Sequence, residues 1–306
     1  MRRIYQLSVA CLAAGVVSAC KNPEQVIQTT KIPTAGVRFI NAVPDTSGAT
    51  GLDFRFVDIV ENNAQFRIQF RNNPVTANGF TASTQIEFKN AKAGQRYFKI
   101  FLDDTLQAVA STVLNTPQVT VDPISASVMP NDTTLNIEAG KNYTVILWGN
   151  ARGTNPPIRI TAFEDDPADP GANIALRVIN ATGNPIDVRA YAVAAGLPAG
   201  ATWANVAPLS VSSFVTVAPG SIKYNVQPAG GGAPLFADGT AMPGAPATVD
   251  IAALPGTNIA GSAVTAIVFP RSVAGTRAPQ SAAFANPLMS FMWDRRPPRG
   301  CDPNLC

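Results

Sequence analysis

The chain has 306 residues, of which 46% are hydrophobic and only 14% charged, so it can bury a large core under a weakly charged surface. Its 23 basic and 20 acidic side chains give a formal net charge of only +3, which argues against nucleic acids and anionic membrane surfaces as electrostatic partners. The absence of histidine removes Ser-His-Asp and Cys-His nucleophile systems and most zinc sites.

Residues 1–19 have the pattern of an export signal peptide. Arg2 and Arg3 precede a mostly apolar run from Ile4 to Val16, which is too short to span a bilayer. Ser18-Ala19-Cys20 ends the segment and resembles the bacterial lipoprotein signal, in which the cysteine is acylated and becomes the first residue. An ordinary secretory signal is the alternative. Lys21 after the cysteine, where aspartate would favour the inner membrane, predicts the outer membrane, on either its periplasmic or its surface face.

A polar, proline-bearing tether is predicted at residues 20–34, followed by a first domain at 35–166. Short runs rich in Val, Ile, Phe and Thr, separated by Gly and Pro turns, are typical of an all-β domain. The predicted strands are Gly36–Val43, Leu52–Val57, Phe66–Phe70, Ile86–Phe88, Tyr97–Leu102, Val109–Leu114, Thr134–Ile137, Tyr143–Trp148 and Ile158–Phe163.

An acidic segment rich in proline and glycine predicts a linker at 167–173, before a second domain at 174–296 and a tail at 297–306. Trp203 falls in a region that reads as a loop. The predicted strands of the second domain are Ile174–Ala181, Ile186–Tyr191, Ser213–Val217, Ser221–Val226, Thr248–Ile251, Val264–Phe269 and Leu288–Trp293.

One short stretch occurs twice and indicates that the two domains are copies of each other. Val37-Arg38-Phe39-Ile40-Asn41-Ala42 returns as Leu176-Arg177-Val178-Ile179-Asn180-Ala181, and each copy is followed by a run with an Asp-x-Arg pattern. The pattern places arginines at equivalent positions of the first two strands. They are possible ligand contacts through bidentate anion binding, or they lie on a solvent-facing side and pair with Asp53 or Asp187. The four residues are Arg38, Arg55, Arg177 and Arg189.

The strand count and turn spacing predict two tandem immunoglobulin-like antiparallel β-sandwich domains. Three stretches resemble the bacterial family called domain of unknown function 4397: residues 37–45, Val217-Ala218-Pro219-Gly220, and residues 139–145. The similarity covers most of residues 35–295 as two copies. The resemblance implies an extracytoplasmic immunoglobulin-like sandwich and supplies no catalytic residues.

Cysteines and carboxylates are the remaining candidates for chemistry. Cys301 and Cys306 are predicted to form a disulfide that closes the tail, with a thiolate metal site as the alternative. Asp165, Asp166 and Asp169 are predicted to form a hydrated acidic linker, with calcium binding as the alternative. No metal site, cofactor or catalytic residue is therefore predicted.

The sequence favours a non-enzymatic cell-envelope lipoprotein, held to the membrane by lipid on Cys20, that is a binding or structural module for an unknown protein or polysaccharide. One alternative is a carbohydrate-active hydrolase that uses a pair of carboxylates. The other is a passive spacer, which rigid docking of the two domains would support.

Overall fold

Strands make up nearly all the regular structure of the computed structural model, which describes residues 33–43, 52–56, 58, 71–72, 88–102, 133–149, 156–249, 251–271 and 287–295. A short 3-10 helix lies at Val193–Ala195. In these ranges no helix is long and apolar enough to cross a bilayer. The strands are β1 Thr34–Asn41, β2 Leu52–Phe56, β3 Arg71–Asn72, β4 Lys89–Lys92, β5 Gly94–Leu102, β6 Thr133–Ile137, β7 Asn142–Trp148, β8 Arg159–Glu164, β9 Ile174–Asn180, β10 Ile186–Ala192, β11 Trp203–Val206, β12 Ser210–Val211, β13 Val215–Val217, β14 Ile222–Pro228, β15 Gly239–Thr240, β16 Ala263–Phe269 and β17 Leu288–Arg295.

The strands form four sheets, two in each half of the chain. In the first half, sheet I has the order β4-β1-β7-β8 and sheet II the order β3-β2-β5-β6. In the second half, sheet III has the order β12-β9-β16-β17, with β13 also paired to β9, and sheet IV has the order β11-β10-β14-β15. The strand orders of the two halves therefore correspond, sheet I to sheet III and sheet II to sheet IV.

Each half buries an apolar core between its two sheets. The first core joins residues of sheet I such as Val37 and Phe39 to Phe56 and Phe98 of sheet II. The second joins Ile174 and Leu176 of sheet III to residues of sheet IV such as Tyr224. Facing sheets of this kind satisfy the backbone in the ladders and bury one side of each strand, so the all-β prediction is confirmed.

Sheets I and III also pack against each other, and their central strands are therefore buried on both faces. Alternate residues of a strand point to opposite faces, so Val37 and Phe39 enter the first core while Ile40 faces the other way. Ile40 and Ile146 meet Ile179 and Ile267 in a third core, which also contains Trp148, Phe269 and Met292. The described residues from Thr34 onward thus belong to one compact unit.

Several sequence-based expectations about strands are wrong. The sheets are not purely antiparallel: β1 pairs with β7, and β9 with β16, in parallel, because the paired strands enter their sheet from the same end. Trp203 begins strand β11 instead of lying in a loop, because Val188 of β10 pairs with it. Of the predicted strand Thr248–Ile251, the described residues Thr248, Val249 and Ile251 lie in no strand, since they have no neighbouring ladder in the described structure.

Other predictions lie outside the described residues. These include the signal segment, the tether with Cys20, the strands at Phe66–Phe70 and Val109–Leu114, and the cysteine pair Cys301 and Cys306.

Candidate functional site

Four charged side chains meet between sheets I and III, and we call them the arginine–aspartate quartet. Arg38 lies on β1 and Arg177 on β9, while Asp165 directly follows β8 and Asp294 lies near the end of β17. Their exposed fractions are 0%, 4%, 2% and 6%, respectively. Charged side chains are almost never fully buried unless they are paired. The contacts among these four side chains must therefore explain why they can lie in the interior.

The strand register brings a threonine beside each arginine. Arg38 is opposite Thr144 of β7, and Arg177 is opposite Thr265 of β16, within the two parallel strand pairs. Each arginine donates from Nε to the threonine Oγ1, over 2.6 Å for Arg38 and 2.7 Å for Arg177. The hydroxyls in turn donate to carboxylates, Thr144 to Asp165 and Thr265 to Asp294. The two halves therefore present the same arginine–threonine–aspartate arrangement.

The ion pairs cross between the halves. Arg38 donates from Nη2 to Asp294, and Arg177 donates from Nη2 to Asp165. Arg177 also reaches Asp294 over 2.9 Å, and Arg38 Nη2 lies 3.5 Å from Asp165. Each arginine thus pairs with the carboxylate of the other half while it bonds to the threonine of its own half.

The quartet is electrically balanced and covered by aromatic rings. Two guanidinium groups face two carboxylates, which satisfies charges that would otherwise be costly to bury. Phe88 lies 4.3 Å from the Arg38 guanidinium, and Phe214 lies 4.5 Å from that of Arg177. Burial by itself would lower the pKa of Arg177, but the adjacent carboxylates of Asp294 and Asp165 raise it overall. Arg177 is therefore held in its charged form.

One of the two alternatives for the repeated arginines was a solvent-facing side, and this is wrong for Arg38 and Arg177. They point into the interface because they occupy the same face of their strands as the residues of the third core. Their guanidinium groups are occupied by internal partners, so the structure gives no support to ligand contact by these two residues.

Arg189 does lie on an outer face, that of sheet IV, but its partner is not Asp187. Its Nη1 donates to Asn225 Oδ1 over 3.2 Å, and its Nε and Nη2 face the carbonyl oxygen of Ala199. Asp187 instead accepts from the backbone N–H groups of Asn205 and Gly230. The side chain of Arg55 lies outside the described structure, although its backbone pairs with Lys99 in sheet II.

The outer face of sheet IV carries a second polar cluster, which we call the sheet IV cluster: Arg189, Tyr191, Asn225 and Asp238. Asp238 accepts from the Tyr191 hydroxyl and, over 2.7 Å, from Asn225 Nδ2. The hydrogen bond to Asp238 raises the pKa of Tyr191 above its ordinary value. Only Arg189 of this cluster was a predicted site residue, because Asp238 comes from a loop far along the chain.

The acidic segment is divided by the fold instead of forming one hydrated cluster. Asp165 points into the quartet, whereas Asp169 accepts from the backbone of Gly171 over 2.9 Å and from Arg295 over 2.8 Å. This separation argues against a calcium site built from Asp165, Asp166 and Asp169 together. Among the described residues, no group of three or more acidic or thiol side chains could hold a metal ion.

A signal for the quartet is present in the sequence but is short. Phe163-Glu164-Asp165 and Met292-Trp293-Asp294 close the last strand of each half with an aromatic residue near an aspartate, and each half has its arginine in the first strand. Comparing the two halves position by position would have paired these residues. Strand patterns alone do not reveal that the ion pairs cross.

Comparison with known proteins identifies the family of the chain. No curated protein matches the chain. The family described as domain of unknown function DUF4397 matches residues 35–191, which run from β1 through most of β10 and include Arg38, Asp165, Arg177 and Arg189. The match covers more than half of the sequence, and the chain therefore belongs to the DUF4397 family.

Proposed function

We propose that this protein is a non-enzymatic lipoprotein of the cell envelope, in which two tandem immunoglobulin-like sandwiches form one rigid structural or binding module. The observation that carries the proposal is the crossed arginine–aspartate quartet, together with the apolar core that surrounds it. A buried ion network with matched partners fixes relative orientation, and rigid orientation is what a spacer or a presenting scaffold requires.

The correspondence of the two halves supports the tandem part of the proposal. Sheets I and III have the same order of equivalent strands, with the same parallel pair at their centre. Arginine, threonine and aspartate occur at equivalent places in both. Duplication of one sandwich explains why each arginine meets the carboxylate of the other half, as residues do across a twofold interface between identical subunits.

The carboxylates give less support to a hydrolase. A glycosidase needs one carboxylate that can donate a proton and another that can act as base or nucleophile across an open cleft. Asp165 and Asp294 are instead buried and engaged by both arginines and by Thr144 and Thr265. Their hydrogen bonds hold both as acceptors, which is the role of structural ions.

The binding part of the proposal is carried by the outer face of sheet IV. Arg189, Tyr191, Asn225 and Asp238 form a hydrogen-bonded cluster there, with Lys223 beside it in the ladder opposite Tyr191. Such a face offers donors and acceptors for the hydroxyl groups of a surface polymer or the backbone of a protein. Arg189 thus stays a candidate ligand contact, and Arg55 has the equivalent place in the first half.

Fractionation of the native cells tests the anchoring. The wild-type protein is expected in the outer-membrane fraction, labelled by a palmitate analogue, with Cys20→Ala soluble and unlabelled. Cys11→Ala is the matched control, because this cysteine lies within the signal segment, and it should behave as wild type. A Cys20→Ala protein that stays in the membrane and carries label would contradict lipidation at this residue. Protease treatment of intact cells then separates the surface face from the periplasmic face.

A further inference from the structure

The exposed large apolar side chains of the described residues all lie in two loops of the second half. Val193 and Leu197 follow β10, and they are 45% and 51% exposed. Val249, Ile251 and Leu254 lie between β15 and β16, and they are 102%, 62% and 42% exposed. Exposed apolar residues scattered singly need no explanation, but their concentration in adjoining loops does.

Backbone hydrogen bonds place these two loops at the same end of the second half. Val193 N–H donates to the carbonyl of Ser221 over 2.9 Å, and Gly220 N–H donates to that of Thr257 over 2.8 Å. The segment before β14 therefore joins the loop after β10 to the loop before β16. This is also the end at which β9 and β16 begin, since Gly261 N–H donates to the carbonyl of Asn173.

The same end of the molecule contains the start of β1. Arg159, opposite Trp148 at the end of β7, donates to the carbonyl of Leu209, which adjoins the end of β9. A Cβ on Gly183, beyond β9, would lie 3.3 Å from Pro156, which precedes β8. The far ends of sheets I and III thus meet, so β1 and β9 run in the same direction. We call the end where both begin the tether end.

Backbone hydrogen bonds link the described residues of the loop, 245–249 and 251–254, and its large apolar side chains are exposed. Ala245 and Leu254 exchange backbone hydrogen bonds of 3.1 and 2.9 Å, and Thr248 N–H donates to the carbonyl of Ile251 over 2.8 Å. At its base, Gly244 has a φ of +75°, and a Cβ on Gly256 would lie 2.2 Å from the backbone nitrogen of Gly244. The close backbone contact between these two glycines supports a narrow projecting loop.

We propose that this loop inserts Val249, Ile251 and Leu254 into the interfacial region of the lipid bilayer to which the protein is anchored. The inference rests on the lipid anchor of the proposed function. The segment from Cys20 to Thr34 spans at most roughly 50 Å when fully extended, so an anchored protein keeps its tether end near the membrane. The lipid anchor of the protein keeps the loop close to the membrane and so raises its effective concentration at the bilayer surface.

The small size of the apolar tip favours a bilayer over a protein partner. A stable protein interface buries about 1,200–2,000 Å² in total, far more than three side chains on one narrow loop provide. Interfacial insertion needs only a few apolar side chains when a covalent lipid supplies the rest of the binding energy. Because no cluster of basic side chains is needed, the contact should depend little on lipid charge.

Vesicle binding by the mature chain, residues 20–306 with Cys20→Ser, tests the loop without the lipid anchor. Flotation with phosphatidylcholine vesicles would compare this protein with the Val249→Ser/Ile251→Ser variant. The matched control is Asn184→Ser/Ala207→Ser, which alters exposed residues at the opposite end. Neutral lipid is chosen because Asp250 lies between the two apolar residues in sequence. Val249→Trp adds an emission signal, since Trp148, Trp203 and Trp293 are all buried.

We expect the loop variant to lower the partition coefficient about tenfold, since each buried methylene contributes measurably to transfer, and the control to leave it unchanged. The emission of Val249→Trp should shift to shorter wavelength with vesicles. Equal partitioning of the loop variant and the control would overturn the proposal, as would an unchanged emission. Self-association that is lost in the loop variant would assign the loop to a second copy instead. None of these results depends on acylation, which the Cys20→Ala fractionation tests separately.

Discussion

Arg38 and Arg177 differ from Arg189 in the partner groups that a substitution of the arginine would leave behind. Loss of Arg189 removes hydrogen bonds to two uncharged acceptors, the side-chain oxygen of Asn225 and the carbonyl oxygen of Ala199. Loss of Arg177 leaves two buried carboxylates, Asp165 and Asp294, with only the guanidinium of Arg38 to balance them. The cost of a substitution at these positions is set by the charges left behind.

Arg177→Met is therefore expected to lower the free energy of unfolding by about 3–5 kcal/mol, the usual cost of breaking a buried ion pair on one side. Urea denaturation followed by tryptophan fluorescence measures this. Arg189→Met is the matched control and should cost less than about 1 kcal/mol. Equal losses in the two variants would mean that the quartet contributes no more to stability than a surface contact.

Tyr224 is the opposite case. Its hydroxyl is a buried polar group, and its removal should stabilise the folded protein. Among the described residues nothing hydrogen-bonds to its hydroxyl, and its ring is fully buried in the second core. Burial, together with the nearby charge of Asp294, raises the pKa of Tyr224 far above its ordinary value. The neutral hydroxyl is thus kept in the folded protein, whereas an unfolded chain would ionise it near pH 10.

Tyr224→Phe should leave stability at pH 7 unchanged or raise it by up to about 1 kcal/mol, because it removes an unsatisfied group. In wild type the stabilisation linked to the raised pKa is complete below about pH 10 and is lost as the pH rises further, so the variant should resist alkali better. Thermal unfolding at pH 7 and pH 11 measures both effects.

Tyr143→Phe is the control: the hydroxyl of Tyr143 accepts a hydrogen bond from Glu138 N–H, and its loss should cost about 1 kcal/mol of stability. A Tyr224→Phe protein as destabilised as this control would show that the hydroxyl has a partner.

At the scale of single elements, local pattern predicts a strand well when its apolar residues face a core. The predicted strand Tyr143–Trp148 differs from β7 by one residue, and Val264–Phe269 differs from β16 by one residue. The predicted strand Thr248–Ile251 alternates polar and apolar residues in sequence, yet Val249 and Ile251 are exposed to solvent. A sequence pattern reports the spacing of apolar side chains, but the presence of a neighbouring strand is set by the rest of the chain.

The same limit applies to the candidate site. The repeated arginines could be found from the sequence because they fall at the same place in two similar strands. Their burial could not, because the strands β1 and β9 are buried on both faces, and the second face is covered by residues from the other half. The carboxylate partner of Arg38 lies 256 positions away, beyond the reach of any local pattern.

At the scale of the whole molecule, the third core makes the two halves parts of one folding unit. Isolating either half would expose two of the four isoleucines Ile40, Ile146, Ile179 and Ile267 to water, together with one arginine that would lose the carboxylate of the other half. Such a surface has the character of an obligate interface, whose partners are not stable apart. The boundary predicted at residues 167–173 joins the two sheets in sequence, whereas their packing depends on residues far from it.

A protease site inserted between Pro167 and Ala168 tests this dependence, because cleavage there breaks the chain without removing any side chain of the interface. The two fragments are expected to elute together on gel filtration and to unfold in a single transition that now depends on protein concentration, since the halves have become separate chains.

Arg177→Met introduced into the same chain should make the cut fragments separate at concentrations at which the parent stays together, because it removes contacts to Asp165 and Asp294. Arg189→Met, which leaves the interface intact, should not. Fragments that separate on cleavage and unfold independently would mean that the third core is too weak to hold the halves, and the rigid module would have to be replaced by two domains joined only by their linker.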